Sequence, residues 1–201
     1  MPSGRTHDRI TLWTLPWIIG LSYLLTRNGE LTLLVAGGFL FSGLMFGPDL
    51  DIYSRQFQRW GKLRCIWIPY QKYLRHRSLL SHGFLIGTLL RVIYLLALLI
   101  LLAIPLIAIA QLILGFDWNW RLFAQTSLNS LTGKYLSEAI AVGVGLELGA
   151  MSHSLSDWIG SAYKRLNSNK AKNTAKKVQK RRNKPQNVPL NSSKPRKTRK
   201  K

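Results

Sequence analysis

Chemistry in this chain has to come from few residues. Its 201 positions hold four histidines and eight acidic residues. The histidines are His7, His76, His82 and His153, and carboxylates keep them company: Asp8 follows His7, Asp49 and Asp51 stand in GPDLD, and Asp157 follows His153 in MSHSLSDW. His153 and Asp157 are four apart, so on a helix they share a face with Cβ atoms roughly 6 Å apart. Such a pair can chelate one metal ion, or Asp157 can hold the far nitrogen of His153. PDLD cannot put both carboxylates on one helical face, and its proline ends the helix before it. An extended turn there can aim Asp49 and Asp51 inward, one as ligand and the other behind it. In HRSLLSHG the spacing of six sends His76 and His82 to different faces of a continuous helix. His76 is therefore expected in a loop, with Ser78 or Ser81 capping the helix that carries His82.

Neutral imidazole with ionised carboxylate is the donor set of zinc first, and also of iron or manganese. Such a centre, with one ion or two, would acidify a bound water to near neutral pH and supply a hydroxide nucleophile. Arg77 is the candidate catalytic residue, positioned by sequence to grip an anionic group such as phosphate, which arginine does bidentately. Arg5 and Arg9 are weaker candidates. Each signal alone has a plain structural reading, because aspartates cap helices and histidines sit at polar boundaries. The argument for a site rests on their convergence. Glu138 and Glu147 are not counted as ligands. The chain has no P-loop, no GxSxG elbow and no dinucleotide fingerprint. A single cysteine, Cys65, excludes a disulfide scaffold and a Cys-rich zinc site.

The elements that must position these residues are apolar. Val92–Leu114 is uncharged and long enough to cross a bilayer, which takes about 20 residues; it carries Pro105 inside and extends upstream past Arg91 to Gly83. Arg91, near that end, is expected to snorkel to the interface. Three shorter runs accompany it: Ile10–Leu25, Leu31–Phe46 and Leu136–Met151. The expected fold is all-α, a membrane bundle of about four transmembrane helices, with residues 1–163 as the embedded domain and 48–82 as its inner loop. The alternative is one true span with helices packed beside it. Thr26 to Glu30 reads as a tight turn rather than a signal-peptide cleavage site.

Charge orients the bundle. Of the 29 basic residues, 16 lie in 164–201, a segment with no acid. Seven more lie between Asp49 and Arg77, and Arg5 and Arg9 stand at the start. Four spans place all three basic regions on one side, which the positive-inside rule makes the cytoplasm, with both termini inside. All four histidines then fall at cytoplasmic helix ends. In the inner loop Tyr53, Phe57 and Trp60 recur at helical spacing between Arg55, Arg59 and Lys62, with Trp67, Tyr70 and Tyr73 following. That pattern suits either a helix in the headgroup layer or one packed on the body. The polybasic tail, 164–201, is expected to be disordered and to meet anionic lipid headgroups. It has no aromatic to stack on bases, so nucleic acid is an unlikely specific partner.

The segments SGRTHDRIT, FGPDLDI, RWGKLRCIWIPYQKYLRHRSLLSHG and MSHSLSDW together resemble a bacterial family of uncharacterised proteins credited with metal binding. They are more distantly similar to membrane-bound, metal-dependent hydrolases of the YdjM type, which join an early His, a PDxD turn, an HR…(S/T)H motif and a late HxxxD. The resemblance covers residues 3–160 and implies a metal site of His7, Asp49, Asp51, His76, His82, His153 and Asp157 in a bacterial inner membrane protein. The gap between His76 and His82 is longer than in the YdjM-like pattern. The expected function is a metal-dependent hydrolase of a phosphoester or lipid headgroup at the cytoplasmic face. The alternatives are a non-catalytic protein whose metal holds its helices together, and a lipid- or nucleic-acid-binding adaptor.

Overall fold

A computed structural model of the chain describes residues 4–74, 76 and 78–182. Side chains are described through 168, that of Leu79 excepted. Helix α1, Gly4–Thr26, turns into α2, Gly29–Leu44, through two residues. Arg27 adopts φ 51°, and Asn28 caps α2 by accepting from the Glu30 and Leu31 amides at 2.8 and 3.2 Å. So short a link forces the two helices to run antiparallel. Short elements follow: a 3-10 turn Pro48–Asp51, α3 Arg55–Arg59, a 3-10 turn Gly61–Trp67, α4 Ile68–Tyr73 and α5 Leu79–His82. The long α6, Ile86–Leu114, leads to α7 Trp120–Asn129, a π turn Ser130–Lys134 and α8 Leu136–Arg182. No strand occurs among the described residues.

Two compact units are distinguishable, Met1–Ser161 and Ala162–Lys201. The helix α8 reaches Arg182, so the basic segment is helical from 164 to 182, where disorder was expected. Its Lys, Arg, Ala and Gln are good helix formers, and continuing a formed helix avoids the cost of nucleation. Residues 183–201 lie outside the described ones.

Within the first unit, glycines let backbones touch. A Cβ on Gly145 of α8 would lie 2.3 Å from the Val35 carbonyl oxygen of α2, and one on Gly149 would lie 2.5 Å from that of Phe39. Small residues at such a crossing permit the close approach. On the other flank of α2, Gly43 faces Thr11 of α1 in the same way. One turn beyond each crossing stands a histidine: His7 before Thr11 and His153 after Gly149.

The inner loop forms the core beneath these helix ends. Phe46, Leu50, Phe57, Trp67 and Tyr70 pack together and are buried. Trp60 donates its Nε1–H to the Met45 carbonyl at 2.9 Å. Of the two readings of the aromatic stretch, packing on the body describes Phe57, Trp67 and Tyr70. Tyr53 and Tyr73 point outward, 69% and 89% exposed.

Two helical segments among the described residues, not four, are long and apolar enough to cross a membrane. Gly29–Asp51 has mean hydropathy 1.7 and is half buried; Ile86–Leu114 has mean hydropathy 3.1 and no buried share in its most apolar window. Proline, threonine and serine dilute α1, and Glu138 and Glu147 interrupt the apolar start of α8. Large apolar side chains nonetheless face outward along α1 (Leu12, Trp13, Trp17, Leu24) and α6 (Leu89, Ile93, Leu96, Leu99).

Arg91 does not snorkel. It is 1% exposed and donates to the Ser81 carbonyl at 2.9 Å and to Thr88 Oγ1 at 3.0 Å. Inward, it finds fixed acceptors that an outward-pointing chain at this position would lack, and a buried guanidinium requires them. Glu147 does not hydrogen-bond it; its Oε1 accepts the Leu85 amide at 3.0 Å. Leu85 has φ 59° and ψ −47°, with Ile86 N–H donating to Phe84 O across it. This is the strained form of the γ-turn. The carboxylate of Glu147 thus holds a costly turn three residues after His82.

Candidate metal centre

Each histidine is positioned by its local element. His7 sits in the first turns of α1 and His153 in α8, and their rings stack with centroids 3.9 Å apart. The helix α2 ends at Leu44, before Pro48 is reached, and Asp49 and Asp51 lie on a 3-10 turn where an extended turn was expected. Gln71 of α4 fastens that turn by donating to the Leu50 and Ile52 carbonyls at 3.0 and 2.9 Å. His76 precedes α5 and His82 ends it. The Ser78 carbonyl accepts from the Ser81 and His82 amides, so Ser78 is where that short helix begins; its hydroxyl makes no capping bond.

Each ring is held by its neighbours. Ser156 Oγ donates to the His153 carbonyl at 2.8 Å and meets His7 Nδ1 at 2.6 Å. His7 Nε2 faces Asp157 Oδ1 at 3.3 Å. Asp51 Oδ1 accepts from His76 Nδ1 at 2.9 Å. Ser81 Oγ meets His82 Nδ1 at 2.8 Å, and the Gln56 amide stands 3.4 Å from His153 Nδ1. In all four imidazoles Nδ1 is engaged by a neighbour. Three of the Nε2 atoms address aspartates: His7 faces Asp157, His153 faces Asp49 Oδ2 at 3.0 Å, and His82 faces Asp49 Oδ1 at 3.8 Å.

These facing atoms satisfy one another only in part. His153 Nε2 and Asp157 Oδ1 meet Asp49 Oδ2 and His7 Nε2 at 3.0 and 3.3 Å, while Asp49 Oδ1, Asp51 Oδ2, and Nε2 of His76 and His82 are buried without a hydrogen-bond partner. Buried polar atoms are rarely left so. Four in one place, on imidazoles and carboxylates, fit a cation. The donors fall into two groups, His7 with His153 and Asp157, and Asp49 with His76 and His82, the ligand atoms of each lying within 4.8 Å of one another. Asp49 addresses both. A void of about 20 Å³ bordered by His7, Asp49, Gln56 and His153 has room for an ion or one water. On the other side, a cavity of about 200 Å³ lined by Ser81, His82, Phe84, Glu147 and Met151 opens beside the second group.

Electrostatics agree with this donor set. Burial pushes His7 below the ordinary imidazole range, and His153 adds to it, against the pull of Asp157 and Asp49. Burial lowers His82 as well, against the pull of Asp51. Burial alone would raise Asp49; the adjoining His153, then His82 and His76, outweigh it and hold the carboxyl below its usual range. Neutral imidazoles beside an ionised carboxylate are the protonation states a metal needs.

The profile of one protein family, described as uncharacterized metal-binding protein (DUF2227), matches residues 2–167. The chain belongs to this family. The matched span contains every donor of both groups. Among curated proteins, the chain is similar to an uncharacterized protein of Aquifex aeolicus (strain VF5), 37% identical over 59 residues, which are 29% of this chain and 41% of that relative. No solved structure matches the chain.

The seven residues expected as ligands separate in the structure. His7, Asp49, His76, His82, His153 and Asp157 belong to the two donor groups. Asp51 belongs to neither and serves His76 from behind. Arg77, expected to hold an anion, lies outside the described residues. Asp8, adjacent to His7, turns away and binds Arg55 and Arg59 at 3.0 and 2.7 Å, which pins α3 to the start of α1. Sequence reasoning missed Ser156, Gln56 and Arg91. Ser156 precedes Asp157 directly, and the three-residue step from His153 was the available signal. Gln56 carried none.

Proposed function

We propose that the protein is a membrane-bound, metal-dependent hydrolase with its centre at the cytoplasmic face, acting on a phosphoester or a lipid headgroup. The single observation that carries this reading is the gathering of buried imidazole nitrogens and carboxylate oxygens around Asp49, several of them without a hydrogen-bond partner. The outward apolar faces of α1 and α6 support placement in a bilayer, since exposed apolar patches of that size mark an interaction surface. Four helical crossings with both termini inside fit the charge distribution. Zinc is the favoured ion, with manganese and iron accepted by the same donors.

A divalent ion held by these residues supplies a Lewis acid and a water acidified to near neutral pH. The chain's own groups do the rest. Asp51 and Ser156 hold the rings of His76 and His7 through their Nδ1 atoms, so that the Nε2 atoms point inward. The cavity of about 200 Å³ that borders His82 gives a substrate room next to the centre, which a structural metal does not need. Glu147 also lines that cavity. This adjoining space supports catalysis over a purely structural metal.

The test uses the full-length protein purified in detergent, stripped with a chelator and reloaded with zinc or manganese. It is assayed on a phosphate diester, a phosphate monoester and an anionic phospholipid. Metal-dependent release from one of them, lost in Asp49→Ala, is the expected result. Absence of hydrolysis on all three by a chain that demonstrably holds metal would favour the structural role instead.

A further inference from the structure

The two donor groups do not merge into one. A metal bonds its imidazole and carboxylate ligands at about 2.0–2.2 Å, so the donors of one ion lie within roughly 4.4 Å of one another. Each group of three approaches that limit by itself, with ligand atoms inside 4.8 Å. A single ion cannot collect all six donors. Asp49 stands between the groups, Oδ2 against His153 Nε2 at 3.0 Å and Oδ1 toward His82 Nε2 at 3.8 Å. Its two oxygens thus point to different partners, as a bridging carboxylate's do.

Charge argues the same way. Asp49, Asp51 and Asp157 bring three negative charges to the centre. One dication leaves an excess of negative charge, which would repel an anionic substrate. Two dications leave one net positive charge, which attracts it. Four imidazoles and two carboxylates directed inward also exceed the four ligands one zinc takes.

We propose that the centre is dinuclear, with Asp49 bridging two divalent ions. One ion is held by His7, His153 and Asp157 together with Asp49 Oδ2; the other by His76 and His82 together with Asp49 Oδ1. The second ion has fewer protein donors and adjoins the cavity beside His82, so it is the one with positions left for water and substrate. The proposal deepens the hydrolase reading and rests on its premise that the site holds metal. Two ions clamping the attacking and leaving oxygens suit displacement at phosphorus.

The experiment measures manganese bound to the full-length protein in detergent, by elemental analysis and by electron paramagnetic resonance. Two manganese per chain with an exchange-coupled spectrum is expected. Asp157→Asn and His82→Asn should each fall to one ion and give an uncoupled six-line signal, with helical circular dichroism unchanged. His76→Gln serves as a second variant of the His82 arm should His82→Asn fail to fold. Saturation of the wild type at one ion, or complete loss of metal in both single-arm variants, overturns the dinuclear centre and leaves a mononuclear hydrolase standing. No metal in the folded wild type overturns the dinuclear centre and the hydrolase reading together. Full metal loading without hydrolysis sinks only the latter.

Discussion

The imidazole of His7 lies flat on that of His153, with centroids 3.9 Å apart and planes 19° from parallel. Two rings stacked so closely cannot both be imidazolium cations without repulsion, and burial already disfavours the charged form of His7. His82 is lowered by burial as well. In the unfolded chain both titrate near 6.5. Between that value and their lower folded values the unfolded state binds more protons, so stability rises with pH across the window. Metal-free protein should therefore hold a constant melting temperature above about pH 6.5 and lose stability as the pH falls below it. Thermal melts from pH 8 to pH 5 in one detergent check this; a melting temperature that climbs toward pH 5 contradicts it.

Asp51 touches His76 Nδ1 at 2.9 Å and belongs to neither donor group. Its role is to orient the ring and raise its basicity. Replacing such a supporting carboxylate typically weakens metal binding by about 10–100-fold. Asp51→Asn keeps the shape and should sit at the lower end of that range, Asp51→Ala at the upper. Competition against a colorimetric chelator gives the affinities, and equal affinity in all three proteins would remove Asp51 from the site.

Arg91 supports His82 at one remove, through the Ser81 carbonyl. Arg91→Met removes the guanidinium's buried hydrogen bonds to the Ser81 carbonyl and Thr88 Oγ1, a loss of about 1–3 kcal/mol. Arg91→Lys should rescue little, because one ammonium does not reproduce the planar fork that reaches both Ser81 O and Thr88 Oγ1. Denaturant titration of the metal-free protein gives the stability change. Wild-type stability in Arg91→Met would show that the inward pose carries no weight.

Cys65 is exposed in the inner loop, in the turn Gly61–Trp67. As the chain's single cysteine it reports topology without mutation. A membrane-impermeant maleimide should label it in inverted vesicles and not in intact spheroplasts. Labelling from the outside reverses the proposed orientation.

Gly145 meets the Val35 carbonyl with no room for a side chain. Gly145→Val should push α8 off α2 and displace His153 from Asp49, abolishing most metal binding while leaving the helices intact. Gly143, whose added Cβ would meet nothing within 4 Å, provides the control: Gly143→Val should bind metal as the wild type does.

Much of the centre was legible because chemistry-bearing residues are scarce here. With four histidines in the chain, HxxxD and PDLD drew attention, and the structure pairs His7 with His153 and His76 with His82, with Asp49 between the pairs. Helix starts were legible from Asn28 and from the apolar runs. What the sequence hid depends on partners distant in the chain. Nothing near Asp51 in the sequence says that its carboxylate reaches His76, since a ligand and a supporting partner both ask for an inward carboxylate. Arg91 read as an interfacial residue because its acceptors, Ser81 O and Thr88, come from backbone folding and not from a charge pattern. The aromatic stretch Tyr53–Tyr73 fitted lipid and core equally, and packing around Trp67 puts Phe57 and Tyr70 in the core while Tyr53 and Tyr73 face outward. Four spans were inferred from four apolar runs, with charge orienting them; by length and apolarity together two segments among the described residues qualify.

Where α2 crosses α8, main chain rests on main chain. The interval between the halves of the centre is consequently inherited from peptide dimensions, which no substitution elsewhere can alter, and not from the fit of one side chain into another. The outward-facing surface of α1 and α6 can be rewritten freely in other apolar letters while the ligands keep their registration. In this architecture tolerance belongs to the exterior, and exactness belongs to residues that have no side chain at all.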